Sequence, residues 1–113
     1  MKTKILITGI FILMIVSCKS DSTVANQISI SGTSFSPKSL SVTVGTTVTW
    51  TNKEAITHTV TSDTGLFDSG DITNGQTYKY TFTTAGTYAY HCTHHAGMTG
   101  TIIVSVASIS PGY

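Results

Sequence analysis

The chain has 113 residues and a mass of 12.0 kDa, which suits one compact domain and leaves little room for a second. Its six basic residues are all lysines, and they are nearly balanced by five acidic residues. Because no basic patch is present, we exclude a nucleic-acid partner.

The N-terminal segment has the composition of a secretory signal. Lys2 and Lys4 precede the apolar run 5–16, which is shorter than the roughly 20 residues that a membrane-spanning helix needs. We therefore expect residues 1–17 to be a signal peptide and the chain to be exported.

The end of this segment, Ile15-Val16-Ser17-Cys18, resembles a bacterial lipobox, in which the cysteine is lipidated and becomes the mature N-terminus. The alternative is an ordinary signal peptide that happens to contain a cysteine. With lipid on Cys18, residues 18–26 form a lipidated N-terminus and polar tether, and the protein is anchored to a bacterial membrane in the periplasm or at the cell surface. Cys92 is then a free thiol.

From residue 27 onward the apolar residues recur with a period of two, and Thr, Val, Ile and Tyr dominate between glycines. No segment has the apolar stripe of a helix. The pattern predicts strands at 27–31, 40–44, 47–52, 58–62, 77–82, 87–92 and 100–106. Short strands with regular turns indicate an all-β fold, a Greek-key β-sandwich of two sheets, spanning 27–107 and followed by a C-terminal tail at 108–113.

The alternation also predicts which side chains point between the sheets. The expected inward positions are Val42, Val44, Val48, Trp50, Val60, Tyr80, Phe82, Tyr88, Tyr90, Ile102 and Val104. A core of this modest size predicts ordinary rather than extreme stability.

The nine-residue segment YHCTHHAGM carries the metal-binding chemistry. Cys92, His95 and Met98 follow the spacing C-x2-H-x2-M in one hairpin turn, and His58 in EAITHTV can add a second imidazole from another strand. Two imidazoles, a thiolate and a weak thioether suit copper in both of its oxidation states. Zinc would accept the same donors, although it prefers a closed tetrahedron and seldom uses methionine. Taken one at a time, a cysteine, a histidine or a methionine in such a domain is more typical of a core or loop residue than of a metal ligand. The prediction therefore depends on the spacing of these residues.

Other polar residues near this segment are assigned to the surface. His91 precedes Cys92 on an alternating strand and should point away from the metal. His94 is expected to face solvent beside the site. Asp63, Asp68 and Asp71 flank glycines and are interpreted as turn residues rather than calcium ligands.

The chain resembles the cupredoxins, the type 1 blue copper proteins, and within them the amicyanin, pseudoazurin and plastocyanin-like members. The resemblance rests on FSPKSLSVTVGTTVTWTN, HTVTSD, FDSGDITNGQTYKYTF and AGTYAYHCTHHAGMTGTIIV. It implies that His58, Cys92, His95 and Met98 are the ligands of one type 1 copper ion. It also implies one-electron transfer, with copper cycling between Cu(I) and Cu(II), and no enzymatic activity.

Two positions depart from the pattern of many relatives. His94 stands where proline is common, and Thr59 stands where an asparagine ties the two ligand-bearing loops together. We expect the threonine hydroxyl to form a less complete tie than an amide, because it would not both donate and accept.

The sequence therefore predicts an exported, lipid-anchored, single-copper electron carrier, which meets its redox partner proteins transiently and is a monomer. A second hypothesis is a copper storage or delivery protein without a redox partner, and a third is an adhesion-like sandwich without metal. The visible spectrum and the copper content separate the three.

Overall fold

The computed structural model describes residues 26–107, so the expected signal peptide, the lipidated Cys18 and the C-terminal tail lie outside the described residues. Within this range no helix could span a membrane. The described chain forms eight strands: β1 (Gln27–Ser31), β2 (Ser34–Ser36), β3 (Ser39–Thr43), β4 (Thr46–Asn52), β5 (Thr61–Ser62), β6 (Thr77–Phe82), β7 (Gly86–His91) and β8 (Thr99–Ser105).

The strands form two four-stranded sheets, in the orders β2-β1-β4-β6 and β3-β8-β7-β5. Each sheet is mixed: β1–β4 and β3–β8 pair in parallel, whereas the other neighbours are antiparallel. From β2 to β7 the chain alternates between the sheets with every strand. The predicted all-β sandwich is confirmed.

Most predicted strand limits agree with the structure to within one residue, but two regions differ. Strand β2 was not predicted, and the predicted strand 58–62 is reduced to Thr61–Ser62. The reason lies in the backbone partners of the preceding residues. His58 pairs only with Ile72 as an isolated bridge, and Val60 bonds to Ser69 in the following loop instead of joining a ladder.

The core between the sheets contains most of the expected inward residues, with Val48, Trp50, Val60, Tyr90 and Ile102 fully buried. The prediction for Val44 was wrong, because β3 ends at Thr43 and Val44 lies at the turn with 37% of its surface exposed. Tyr80 and Tyr88 are only half-buried and pack against the core. Further core residues come mainly from β1, β2 and the loop 63–72: Ile28, Ile30, Phe35, Phe67 and Ile72.

Tyr90 is the aromatic residue that fixes the end of β7. Its ring packs edge-on against Phe35 and Trp50, with centroid separations of 4.7 Å and 5.5 Å. Burial raises the pKa of Tyr90 to about 12, so the phenol is neutral near pH 7. Its Oη and the Trp50 Nε1 are buried without a well-formed hydrogen bond within residues 26–107. Packing rather than polar bonding therefore holds Tyr90, two residues before Cys92.

The loops that carry the candidate ligands meet at one end of the sandwich. Strand β4 ends there and β6 begins there, since Thr51 pairs with Thr77. In the other sheet β7 ends and β8 begins at the His91–Thr99 pair. The topology therefore brings the segment after β4 next to the β7–β8 loop.

Candidate metal centre

Cys92, His95 and Met98 lie in the short loop that joins β7 to β8. The Cys92 N–H donates to the Met98 carbonyl at 3.0 Å, and the Met98 N–H donates to the His95 carbonyl at 3.1 Å. Gly97 has a φ of 84°, a left-handed conformation that glycine adopts without strain. The backbone thus folds the predicted C-x2-H-x2-M spacing into a compact turn.

Three of the four predicted ligands converge on one point. The Cys92 Sγ lies 3.7 Å from the His58 Nδ1 and 3.5 Å from the His95 Nδ1. All three donor atoms lie within 4.8 Å of one another. His58 and Cys92 are buried, whereas His95 is half-buried. The cluster is therefore buried on the protein side and open only at His95.

The donor set fits copper better than zinc. Two imidazole nitrogens and a thiol face one another, and Met98 is buried at the end of the same loop. Copper accepts this combination of nitrogen and soft sulfur in both oxidation states, whereas structural zinc sites rarely include a thioether. The geometry agrees with the copper prediction for the three donors that it brings together.

His58 is oriented by Glu54, four residues earlier in the chain. The His58 Nε2 and the Glu54 Oε2 are 2.6 Å apart. Since the carboxylate accepts the ring proton at Nε2, the Nδ1 that faces Cys92 is left with its lone pair. Glu54 thus selects the tautomer of His58 that can bind a metal.

Glu54 is itself held by the turn between β1 and β2. Its two carboxylate oxygens accept the backbone N–H groups of Gly32 and Thr33 at 2.9 and 3.1 Å. The Thr33 bond, together with the His58 bond, lowers the pKa of Glu54 below its usual 4.5. The ionised Glu54 carboxylate therefore stabilises the folded protein fully at pH values above 4.5, its usual pKa. This stabilisation is lost as the pH falls through the lower pKa of Glu54 in the folded protein.

Asn52 fixes the rest of the same loop. Its buried side chain donates to the carbonyls of Ile56 and Ile72, both at 2.8 Å, and accepts the Glu54 N–H at 3.0 Å. Sequence reasoning missed both Asn52 and Glu54. The signal that could have found Glu54 is a carboxylate four residues before the first histidine ligand.

We expect Glu54→Ala to weaken copper binding by about 10- to 100-fold, the usual loss when the partner of a ligating histidine is removed. Glu54→Gln retains one acceptor oxygen and should lose less. Competition with a copper chelator measures both affinities. Lys53→Ala, at the neighbouring exposed position, is the matched control, and equal losses in Lys53→Ala and Glu54→Ala would contradict the role of Glu54.

Thr59 connects the two ligand-bearing segments. Its backbone N–H donates to the Cys92 Sγ at 3.4 Å, and its Oγ1 accepts the Thr93 N–H at 2.9 Å. The same hydroxyl lies 3.0 Å from the Thr61 Oγ1 and 3.2 Å from the Thr93 Oγ1. The expectation that Thr59 connects the two segments incompletely was wrong. A hydroxyl offers one donor and two acceptor positions, and the Thr61 hydroxyl, the Thr93 hydroxyl and the Thr93 N–H all lie within hydrogen-bond distance of the Thr59 Oγ1.

The remaining histidines lie outside the cluster, as expected. His91 Nδ1 bonds to Asp63 at 2.6 Å, and His94 Nε2 bonds to Asp71 at 2.7 Å; both rings are partly exposed. Asp68 accepts from the Thr61 hydroxyl and from the Gly70 N–H. Within the described residues, these aspartates do not gather into a common site.

A two-sheet β-sandwich that gathers two imidazole nitrogens and a thiol at one end defines the class of small copper-binding β-proteins. The chain belongs to the copper binding proteins of the plastocyanin/azurin family, whose family model matches residues 22–105. Its cofactor is copper.

The chain is similar to curated members of this family. It is 44% identical over 70 residues to amicyanin from Paracoccus denitrificans, which covers 58% of this chain and 53% of that protein. It is 40% identical over 83 residues to plastocyanin from Scenedesmus fuscus, covering 62% and 85%. The matched segment thus spans about half the length of the amicyanin and most of the plastocyanin.

Solved structures show the same relationship. An oxidized amicyanin mutant superposes with a TM-score of 0.67 at 38% identity, covering 70% of this chain and 80% of that one. A Cu(I) form of another amicyanin mutant superposes with the same TM-score, identity and coverage.

Proposed function

We propose that the protein is an exported electron carrier in which His58, Cys92, His95 and Met98 hold one type 1 copper ion. The observation that carries this proposal is the convergence of the two Nδ1 atoms and the Cys92 Sγ within 4.8 Å. The copper ion would supply a one-electron couple between Cu(I) and Cu(II). Amicyanin mutants have been solved in an oxidized and in a Cu(I) form, which supports the same couple here.

The residues around the site hold its donors through hydrogen bonds. Glu54 holds the His58 ring, Thr59 holds the Cys92 sulfur and the start of the loop, and the Cys92–Met98 backbone bond closes the loop. A site held by its own hydrogen bonds changes little when the charge of the metal changes. This rigidity favours electron transfer over copper delivery, and the proposed role involves no bond-making step.

The electron would enter and leave at His95. This ring is the half-buried member of the cluster, and the next two residues, Ala96 and Gly97, are exposed and small. A redox partner can therefore approach the ring closely. Such encounters are transient and bury little surface, and we propose that the protein meets its partner as a monomer.

Copper content and a visible spectrum of the purified protein test this proposal directly. One copper per chain with an intense blue thiolate band, reversibly bleached by a reductant, is the expected result. A colourless protein that binds Cu(I) would instead indicate storage or delivery. A protein without stoichiometric copper would overturn the metal assignment and leave an adhesion-like sandwich.

Met98→Gln tests the fourth ligand. A thioether is soft and favours Cu(I), whereas an amide oxygen favours Cu(II), so the variant should keep one copper and most of its colour while its midpoint potential falls. Each tenfold gain in relative Cu(II) affinity lowers the potential by about 59 mV. Voltammetry measures the change.

Met98→Leu is the matched control, since it removes the sulfur without adding oxygen. Its potential should rise, because Cu(I) tolerates the loss of a fourth donor better than Cu(II). If both variants kept the parent potential, Met98 would not be a copper ligand.

We also propose that Cys18 carries the lipid that anchors the exported protein to a bacterial membrane. The lipobox-like Ile15-Val16-Ser17-Cys18 supports this assignment. Expression of the full chain in a bacterial host supplied with a labelled fatty acid should label the protein, and Cys18→Ala should remove the label. Equal labelling of the two would refute lipidation at Cys18.

A further inference from the structure

A row of hydroxyl groups connects the metal centre to the protein surface. The Thr93 Oγ1 lies 3.2 Å from the Thr59 Oγ1, which lies 3.0 Å from the Thr61 Oγ1. Thr61 donates in turn to the Asp68 Oδ1 at 3.1 Å. Thr59 is buried, with 4% of its surface exposed, whereas Asp68 is exposed. The row therefore leads from Thr93, which is exposed and directly follows Cys92, through the buried Thr59 to the exposed Asp68.

The carboxylate fixes the direction of every hydroxyl in this row. A carboxylate oxygen only accepts, so the single hydroxyl proton of Thr61 points to Asp68. Thr61 must then accept the proton of Thr59, and Thr59 must accept the proton of Thr93. The order of donation is Thr93 to Thr59, Thr59 to Thr61, and Thr61 to Asp68.

This direction decides what Thr59 can do for the metal centre. With its own proton turned toward Thr61, the Thr59 Oγ1 keeps both lone pairs for Thr93, whose backbone N–H and hydroxyl both reach it. Thr93 directly follows Cys92, and the Thr59 backbone N–H donates to the Cys92 sulfur. An oriented Thr59 therefore holds the start of the ligand loop against the segment that carries His58.

We propose that Asp68 is a positioning residue for the copper site, acting through Thr61 and Thr59. The inference rests on the proposed copper site and adds a remote surface residue to it. Hydrogen bonds in a row polarise one another, so an anchor at the end strengthens the bonds further along. Asp68 also accepts the Gly70 N–H at 3.0 Å, which holds its oxygen in place.

Without this anchor the row loses its single direction. Thr61 could then donate back to Thr59, and Thr59 would turn its proton toward Thr93, where it competes with the Thr93 N–H. The start of the ligand loop would alternate between two arrangements. Copper should leave faster, and the thiolate band should shift or broaden.

The experiment compares variants that remove the anchor with variants that keep its hydrogen bond. Asp68→Ala and Thr61→Val break the row, whereas Asp68→Asn retains an acceptor oxygen and Thr61→Ser retains the hydroxyl. Asp63→Ala removes another exposed carboxylate, which bonds to His91 and not to the row, so it controls for the loss of a surface charge.

Measurements on the copper-loaded and on the copper-free protein report on the row. In the copper-loaded protein we follow the visible band, the midpoint potential and the rate of copper loss to a chelator. In the copper-free protein we follow hydrogen exchange of the Thr93 amide. Asp68→Ala and Thr61→Val should accelerate both copper loss and exchange by about 3- to 10-fold, the range expected for one hydrogen bond. Asp68→Asn and Thr61→Ser should restore most of the protection.

The outcomes separate this inference from the proposed function. If Asp68→Ala and Thr61→Val lost copper and exchanged the Thr93 amide at the rates of the parent protein, the role of Asp68 would be overturned. A blue parent protein would still support the proposed copper site in that case. An equal effect of Asp63→Ala and Asp68→Ala would also overturn the role of Asp68, because charge rather than the hydroxyl row would be responsible. A parent protein without copper would instead refute the proposed function.

Discussion

Cys92→Ser should lose the blue band completely and no longer bind Cu(I) stoichiometrically. The colour of such a site arises from a covalent bond between thiolate and copper, and a serine hydroxyl is a harder donor that stays protonated near neutral pH. The substitution also removes the sulfur that both histidine Nδ1 atoms face. Visible absorption and copper analysis of the purified variant measure the two losses.

The fold should survive this substitution. Cys92 and Met98 belong to the buried core cluster, but most of that core is built from other residues, so we expect the copper-free domain to fold without metal. A serine hydroxyl at this position can still bond to the Thr59 N–H and to a histidine nitrogen. We expect the free energy of unfolding of copper-free Cys92→Ser to stay within about 1 kcal/mol of the copper-free parent.

Cys18→Ser is the matched control, since it removes the other cysteine and leaves the site alone. It should retain the blue band and one copper per chain. A blue Cys92→Ser would place the copper elsewhere, and a Cys18→Ser that stayed colourless after copper was added to the purified protein would show that the thiol was assigned to the wrong cysteine.

The strands were predictable because the sandwich has one buried face on each sheet. Strands β1 and β6 were predicted at their observed limits, since QISIS and TYKYTF alternate without interruption. Strand β2 has only three residues and precedes Pro37, so it is too short for periodicity to show. Val44 continues the alternation of apolar residues in the sequence, but β3 ends one residue earlier, so the Val44 side chain is exposed at the turn.

The candidate ligands could be predicted for a different reason, which is that three of them lie within one hairpin. The spacing from Cys92 to Met98 is local, so it is visible in the sequence whatever the rest of the fold does. His58 lies 34 residues before Cys92, and it was predicted because a second imidazole was needed to complete the donor set and the other histidines lie between residues 91 and 95. The resemblance to the cupredoxins implied the same residue.

Most contacts of the supporting residues could not be predicted, because they depend on how distant turns pack together. Glu54 meets the N–H groups of Gly32 and Thr33 across 22 and 21 residues. The hydroxyl row needs the bridge between Thr61 and Asp68. Spacing alone shows none of these pairs, although they hold the ligands in place.

Gly100 is the other position where a small change should have a large effect. It lies on β8 directly opposite Tyr90, and the Tyr90 ring folds over it. A Cβ at this position would overlap the Cζ and Oη atoms of Tyr90 and would lie 2.9 Å from its Cε1. Tyr90 cannot move aside easily, because it is fully buried between Phe35 and Trp50.

We expect Gly100→Ala to lower the free energy of unfolding of the copper-free domain by about 2–4 kcal/mol, as overpacking of a tight core does. For a domain of this size the melting temperature should fall by about 10–25 °C, measured by thermal circular dichroism. Thr99→Ala, at the exposed neighbouring position, should have little effect. Tyr90→Leu opens a cavity and is destabilising alone. The double variant Tyr90→Leu with Gly100→Ala should lose less free energy of unfolding than the sum of the two single variants. Additive losses, or a parent-like melting temperature for Gly100→Ala, would show that the Tyr90 ring does not pack on Gly100.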